Sequence, residues 1–169
     1  MVREMILLGL CLTTGVASVL AADPGATKAT LSITGLHCPP CTRTVESSVR
    51  GVKGVRSISV DWSTKSAKVE FDEQAISAQQ VASAIVGTPH MMGGGLKYGS
   101  WLSLNVPDLK DETAAKTARE ALGKVPGVAN VAPFVAQHTV SVQFGGEGKA
   151  TTTDLIAALK KAGLDAKTY

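Results

Sequence analysis

"LSITGLHCPPCTRTVESSVRGVKGVRSISV" (residues 31–60) and "LNVPDLKDETAAKTAREALGKVPGVANVAP" (residues 104–133) decide the fold when laid over each other. At the shift of 73 that takes Leu31 to Leu104, Ile33 meets Val106, Leu36 meets Leu109, Val49 meets Leu122 and Val52 meets Val125. Gly54 meets Gly127, Val55 meets Val128, and further on Phe71 meets Phe144. Apolar on apolar and glycine on glycine, at one fixed offset over about forty positions, marks two copies of one supersecondary unit.

The periods inside each copy set its elements. "TLSI" and "SWLSLNV" alternate as strands do, while Val45, Val49 and Val52, and Ala118, Leu122 and Val125, fall at helical spacing. The glycines of "KGV" and "PGV" are expected to end those helices and open the next strand. "VRSISVDW" and "KSAKVEFD", about the polar turn Ser63 to Lys65, read as a hairpin. "SAQQVASAIVG" and "TTDLIAALKKAG" each supply a second helix, introduced by Ser or Thr and closed by Gly. Last strands are expected near Pro89 to Met92 and from Leu164 to Tyr169. The predicted class is α+β: two tandem ferredoxin-like βαββαβ domains, each a four-stranded antiparallel sheet with both helices on one face. The boundaries are residues 28–92 and 100–169, joined through the Gly-rich segment 93–99, which reads as a flexible joint.

Composition excludes one large class. The 17 Lys and Arg against 14 Asp and Glu leave a formal charge of +3, the bases are scattered, and aromatic residues make up 4%. Neither a basic footprint nor a stacking platform for nucleic acid is present. Residues 1–21, with Arg3 ahead of an apolar run from Met5 to Leu20 and small residues after it, read as an export signal cut after Ala21. An uncleaved anchor is the rival reading, weakened by Gly9, Thr13, Thr14, Gly15 and Ser18. Removal of the signal takes Cys11 with it and leaves Cys38 and Cys41 as the cysteines of the mature chain.

Cys38 and Cys41, in "GLHCPPC", admit three readings: a metal grip, a dithiol redox pair and a structural disulfide. Soft thiolates select Cu(I) and other thiophilic ions, and two sulfurs suffice for near-linear coordination. A spacing of three lets both converge outside a helix N-terminus, whose partial positive charge favours thiolate. Pro39 suits the first helical position and stiffens the loop. A structural zinc site would need four ligands and finds too few. CxxC between a strand and a helix also describes thioredoxin-like enzymes, although the repeated strand-helix-strand-strand-helix order speaks against that fold. Copy two carries Asp111 and Ala114 at the matching positions, so it lacks the pair; Asp111 and Glu112 read as helix-capping residues.

The strand, "GLHCPPC", and a helix followed by "VKGV" before the next strand together resemble the heavy-metal-associated domain of copper chaperones, metal-transporting ATPases and the periplasmic mercury-binding protein. The likeness covers Thr30 to about His90, with Ser100 to Tyr169 as a degenerate second copy. Gly35, Cys38 and Cys41 match the family pattern GMxCxxC, whereas Leu36 stands at the usual methionine and His37 at the variable position. The signal reading implies export, to a periplasm, and the resemblance implies a metal carrier and not an enzyme. Cys38 and Cys41 would hold Cu(I) foremost, with Hg(II) or another thiophilic ion as the alternative. The ion would pass to a metal transporter or another cysteine-bearing acceptor, with the membrane involved only by way of that partner or an uncleaved signal. Thiol-disulfide exchange through CPPC is the alternative function.

His37, His90 and Met91 are the candidate auxiliary ligands, with Met92 beside them, because the chain after the second helix returns to the end of the sheet that carries the first helix N-terminus. Imidazole and thioether both suit Cu(I). His138 reads as a surface residue. Arg43, Arg50, Lys53 and Arg56 are expected to make the metal face mildly basic, and Trp62 and Trp101 to serve a core or an interface.

Overall fold

A computed structural model describes residues 25–169; the signal-peptide reading of residues 1–21 and Cys11 lie outside them. The chain runs β1 (Ala26–Thr34), α1 (Pro40–Arg50), β2 (Val55–Asp61), β3 (Ser66–Asp72), α2 (Ala78–Val86) and β4 (Gly99–Asn105). It continues through α3 (Glu112–Leu122), β5 (Val128–Phe134), a short 3-10 turn at Val135–Gln137, β6 (Thr139–Phe144), α4 (Thr152–Lys161) and β7 (Lys167–Thr168). The fold is α+β with an antiparallel sheet and four α-helices, the class expected.

The sheet itself departs from expectation. Instead of two separate four-stranded sheets, one continuous sheet runs β2-β3-β1-β4-β6-β5, with β7 added on β4. Strand β4 explains the fusion. Its Gly99–Ser103 segment pairs with Thr34–Thr30 of β1, and its Leu102–Asn105 segment pairs with Val142–Thr139 of β6. One strand thus fills the fourth place beside β1 and also the first place of the second half. The strand expected near Pro89 to Met92 does not form: Pro89 offers no N–H to a ladder, and the chain there bends into turns. The last strand of the second half is there but short, as β7 beside Leu104 and Asn105.

Alternation sorts the sheet's faces. Leu31 pairs with Ala67 and Leu102, and Leu102 with Val142, so the buried apolar positions of four strands share one face. The helices cover that face with Val45, Val49, Val81, Ile85, Ala118, Leu122, Leu155 and Leu159, all in one hydrophobic cluster. The other face is polar, with Lys28, Thr30, Ser32, Lys68, Glu70 and Ser103.

Helix ends correct two expectations. Helices α1 and α3 stop at caps Gly51 and Gly123, not at the later glycines, so Val52 and Val125 lie beyond them. Gly54 and Gly127 instead turn the chain into β2 and β5 at φ of 96° and 91°. The second helices begin as read: Ser77 and Gln80, and Thr151 and Asp154, form capping boxes.

The segment 93–99 is less a free joint than its glycines suggest. Gly99 belongs to β4, Tyr98 is buried, and a polar latch ties the halves together outside the sheet. Gln79, 1% exposed at the start of α2, donates from Nε2 to the carbonyls of Gly145 and Gly146 and accepts from the Ala150 amide. Beside it the Glu73 carboxylate accepts from the backbone and hydroxyl of Thr152 and from the hydroxyl of Thr153.

Candidate metal centre

Strand β1 ends at Thr34, and the chain turns at Gly35, where φ is +82° and a Cβ would stand 2.5 Å from the Lys97 carbonyl oxygen. Only glycine suits a left-handed residue in so close an approach. Leu36 is buried and anchors the loop, His37 is exposed, and Cys38 is half-buried against the core. Pro40, not Pro39, takes the first helical position; Pro39 is the cap, and no side chain caps the helix. Cys41 in the first turn is fully buried. Its amide donates to the Cys38 carbonyl at 3.0 Å, and Thr42 donates to the Pro39 carbonyl from its amide and, at 2.8 Å, from its hydroxyl.

Cys38 and Cys41 are joined as a disulfide, with Cα atoms 5.4 Å apart. The loop therefore brings the two sulfurs to one point at the positive end of α1, where reduction would present both to one ion.

The hairpin between β2 and β3 reaches the same loop. Lys65, at φ of 53°, donates from Nζ to the Leu36 carbonyl at 3.3 Å and lies over the Trp62 ring. Burial pulls the Lys65 ammonium below its usual pKa of 10.5. Asp61 closes the turn by accepting from the Ser63 hydroxyl and from the amides of Ser63 and Thr64; the Ser63 hydroxyl is the first cause of a carboxyl pKa near 2. Lys65 was within reach of the sequence: it stands 73 residues before His138, in the turn the hairpin pattern marks. What the sequence does not carry is the direction of its side chain.

His90 is placed as expected, near the loop, but both ring nitrogens are engaged. Nε2 donates to the Gly35 carbonyl at 2.9 Å, and Nδ1 accepts from the Met92 amide at 3.2 Å. Its ring stacks on buried Tyr98, centroids 4.7 Å apart, and lies 5.5 Å from the ring of His37. Met91 and Met92 are 55% and 62% exposed. Tyr98, which sequence reasoning passed over as linker, is 2% exposed, and its hydroxyl has no partner. Among the described residues no group of three or more His, Cys, Asp or Glu is gathered.

The second half carries Asp111 and Ala114 where the first has its cysteines, and Asp111 caps α3 by accepting from the Ala114 amide at 2.8 Å. His138 is exposed, but it is also a bonded residue: its Nδ1 donates to the Leu109 carbonyl at 3.0 Å.

A model of the heavy-metal-associated domain matches residues 30–90. The mercuric transport protein periplasmic component of Serratia marcescens is 36% identical over 70 residues, which are 41% of this chain and 77% of that protein. The chain belongs to the heavy-metal-associated domain family. The copper-transporting ATPase HMA5 of Oryza sativa is 25% identical over 134 residues, 78% of this chain. Copper-transporting ATPase 2 of Rhizobium meliloti is 26% identical over 152 residues, 90% of this chain. The chain spans 13% and 18% of the length of those two ATPases. Among solved structures, oxidised MerP from Ralstonia metallidurans aligns at 28% identity and a TM-score of 0.37, covering 44% of this chain and 96% of that one. The segment that matches the family model, residues 30–90, contains both cysteines. Among the described residues no helix is long and apolar enough to cross a membrane.

Proposed function

We propose that this protein carries a thiophilic ion, Cu(I) foremost, on the thiolates of Cys38 and Cys41 and passes it on by ligand exchange. The observation that supports this most is the meeting of the two sulfurs at the start of α1, in a loop whose Leu36 carbonyl accepts from the Lys65 ammonium. Two thiolates and one Cu(I) leave a complex of net charge −1, and a nearby cation offsets that charge. The buried sulfur of Cys41 holds the ion against the core, and the more open Cys38 is the ligand an incoming cysteine replaces. Binding follows reduction: an external dithiol donates two electrons and two protons to the disulfide and is itself oxidised to a disulfide, and each freed thiol releases its proton to water as the metal binds its sulfur.

The acceptor is a metal transporter or another protein with paired cysteines, and the protein is a carrier with no catalytic role, working after export in a periplasm. Names of relatives that transport copper or mercury support the ion class; the leaning to Cu(I) comes from the imidazoles and thioethers at the rim. We assign residues 28–92 to the metal-bearing unit and residues 100–169 to a second copy that kept the fold and lost the ligands.

The test is titration of the reduced chain with Cu(I) and Hg(II), in wild-type and Cys38→Ser forms, beside an insulin-reduction assay. One equivalent bound with loss in the Cys38→Ser form and no insulin turnover is the expected result. Turnover without tight binding would favour thiol-disulfide exchange through the same pair and sink the carrier reading.

A further inference from the structure

Met91 and Met92 pose a problem that packing does not solve. Both are large apolar side chains more than half exposed, and they sit in the turn that follows Pro89. The turn is fixed: His90 ties it to the cysteine loop through the Gly35 carbonyl, the Met92 amide bonds the same ring, and the Gly93 amide donates to the His90 carbonyl at 3.0 Å. Stacking of His90 on buried Tyr98 sets the plane of that ring. His37, exposed and one residue before Cys38, faces His90 with ring centroids 5.5 Å apart.

Met91 and Met92 therefore belong to a braced turn whose His90 ring faces His37, the residue before Cys38. Thioether and imidazole are neutral, need no deprotonation and suit a soft monovalent ion. A disulfide, by contrast, offers no thiolate. We propose that Met91, Met92 and His37 form a second soft-metal site, for Cu(I) or Ag(I), that works while Cys38 and Cys41 are oxidised. His90 is its positioning residue, with both nitrogens committed to holding the turn. The site goes beyond the dithiolate reading and does not depend on it, since its donors include no sulfur of the pair. It would hold the ion at the rim until the cysteines are reduced.

The experiment uses the exported chain without residues 1–21, with its disulfide intact and its methionines labelled with 13C at the methyl group, titrated with Ag(I) as a redox-inert probe. Met91 and Met92 are then its methionines, so each methyl signal reports on the site. One equivalent of Ag(I) should shift both methyl signals. The Met91→Leu, Met92→Leu double variant, which keeps volume at exposed positions, should lose the binding, and His37→Asn should weaken it about tenfold. His90→Gln should weaken it too, with an altered His37 signal showing that the turn has shifted. Unmoved Met91 and Met92 signals, or binding that survives the double variant, would overturn the proposal. Uptake by the reduced chain alone overturns this site and leaves the cysteine site standing. Uptake by the oxidised chain with none added on reduction does the reverse.

Discussion

Lys65 donates to the carbonyl of Leu36, and 73 residues further along His138 donates to the carbonyl of Leu109. The two donors share more than spacing. Both have left-handed backbones, at φ of 53° and 49°, and the carbonyl of each accepts from an amide near a strand end, Ile33 late in β1 for Lys65 and Val106 just past β4 for His138. The same hairpin device therefore steadies a loop that has cysteines and a loop that has none. Its first purpose is loop geometry, and only in the first half is the donor an ammonium bonded to a loop that also carries a pair of cysteines.

That division predicts the outcome of Lys65→Met. The hairpin keeps its backbone bonds, so the fold should persist, while the −1 complex of Cu(I) with two thiolates loses a cation held on the cysteine loop. Loss of that charge should lower Cu(I) affinity several-fold, and by less as salt screens the charge. Competition against a chromophoric Cu(I) chelator, repeated at high salt, reads it. An unchanged affinity at low salt would mean that Lys65 acts on the loop alone.

Gln79 supplies a prediction about the junction. Its amide satisfies two carbonyls and one amide of residues 145–150 from a position 1% exposed. Gln79→Ala leaves the Ala150 amide facing a gap, and each buried group left unpaired costs roughly 1–3 kcal/mol. Urea unfolding should show a midpoint lowered accordingly with an unchanged slope. Gln79→Leu should fare no better despite its volume, because the deficit is one of hydrogen bonds.

The sequence made the strands, helices and repeat legible because burial imposes period two or period 3.6, and because capping boxes such as Ser77 with Gln80 are local. It concealed the shared sheet, because "SWLSLNV" has one apolar pattern whether β4 has one neighbour or two. Leu102 looks the same opposite Leu31 as opposite Val142, and it stands opposite both. At the candidate site Cys38 and Cys41 could be read from spacing. The roles of Lys65, His90 and Tyr98 depend on contacts 29, 55 and 8 residues distant in the chain, or on a ring stack, and no local pattern encodes them.

Leu102→Ala tests whether the shared strand makes one cooperative unit. Leu102 is fully buried at the seam, and truncating such a residue costs about 2–5 kcal/mol. Trp62 reports from the first hairpin and Trp101 from β4 itself, so single-tryptophan variants can follow the two regions separately. Both urea transitions should move to lower denaturant together. Midpoints that separate, with Trp62 unmoved, would show halves that unfold on their own.

Asp61 gives the hairpin a pH signature. Hydrogen bonds from the Ser63 hydroxyl and from the Thr64 and Ser63 amides hold its carboxyl at about 2, below the ordinary 3.8. A depressed carboxylate pKa means that the folded state favours the ionised form. The stabilisation is complete above the unfolded value and is lost as pH falls from there through the folded one. Asp61→Asn removes the charge but keeps the shape, so it mimics the protonated acid. The difference in melting temperature between wild type and Asp61→Asn should therefore be constant above about pH 5 and shrink as pH falls toward about 2, vanishing only below it. Because this turn carries Lys65, the same variant should also weaken Cu(I) binding at neutral pH, though less than Lys65→Met does. A melting difference that persists undiminished at the acid end would show that it does not come from the charge of Asp61.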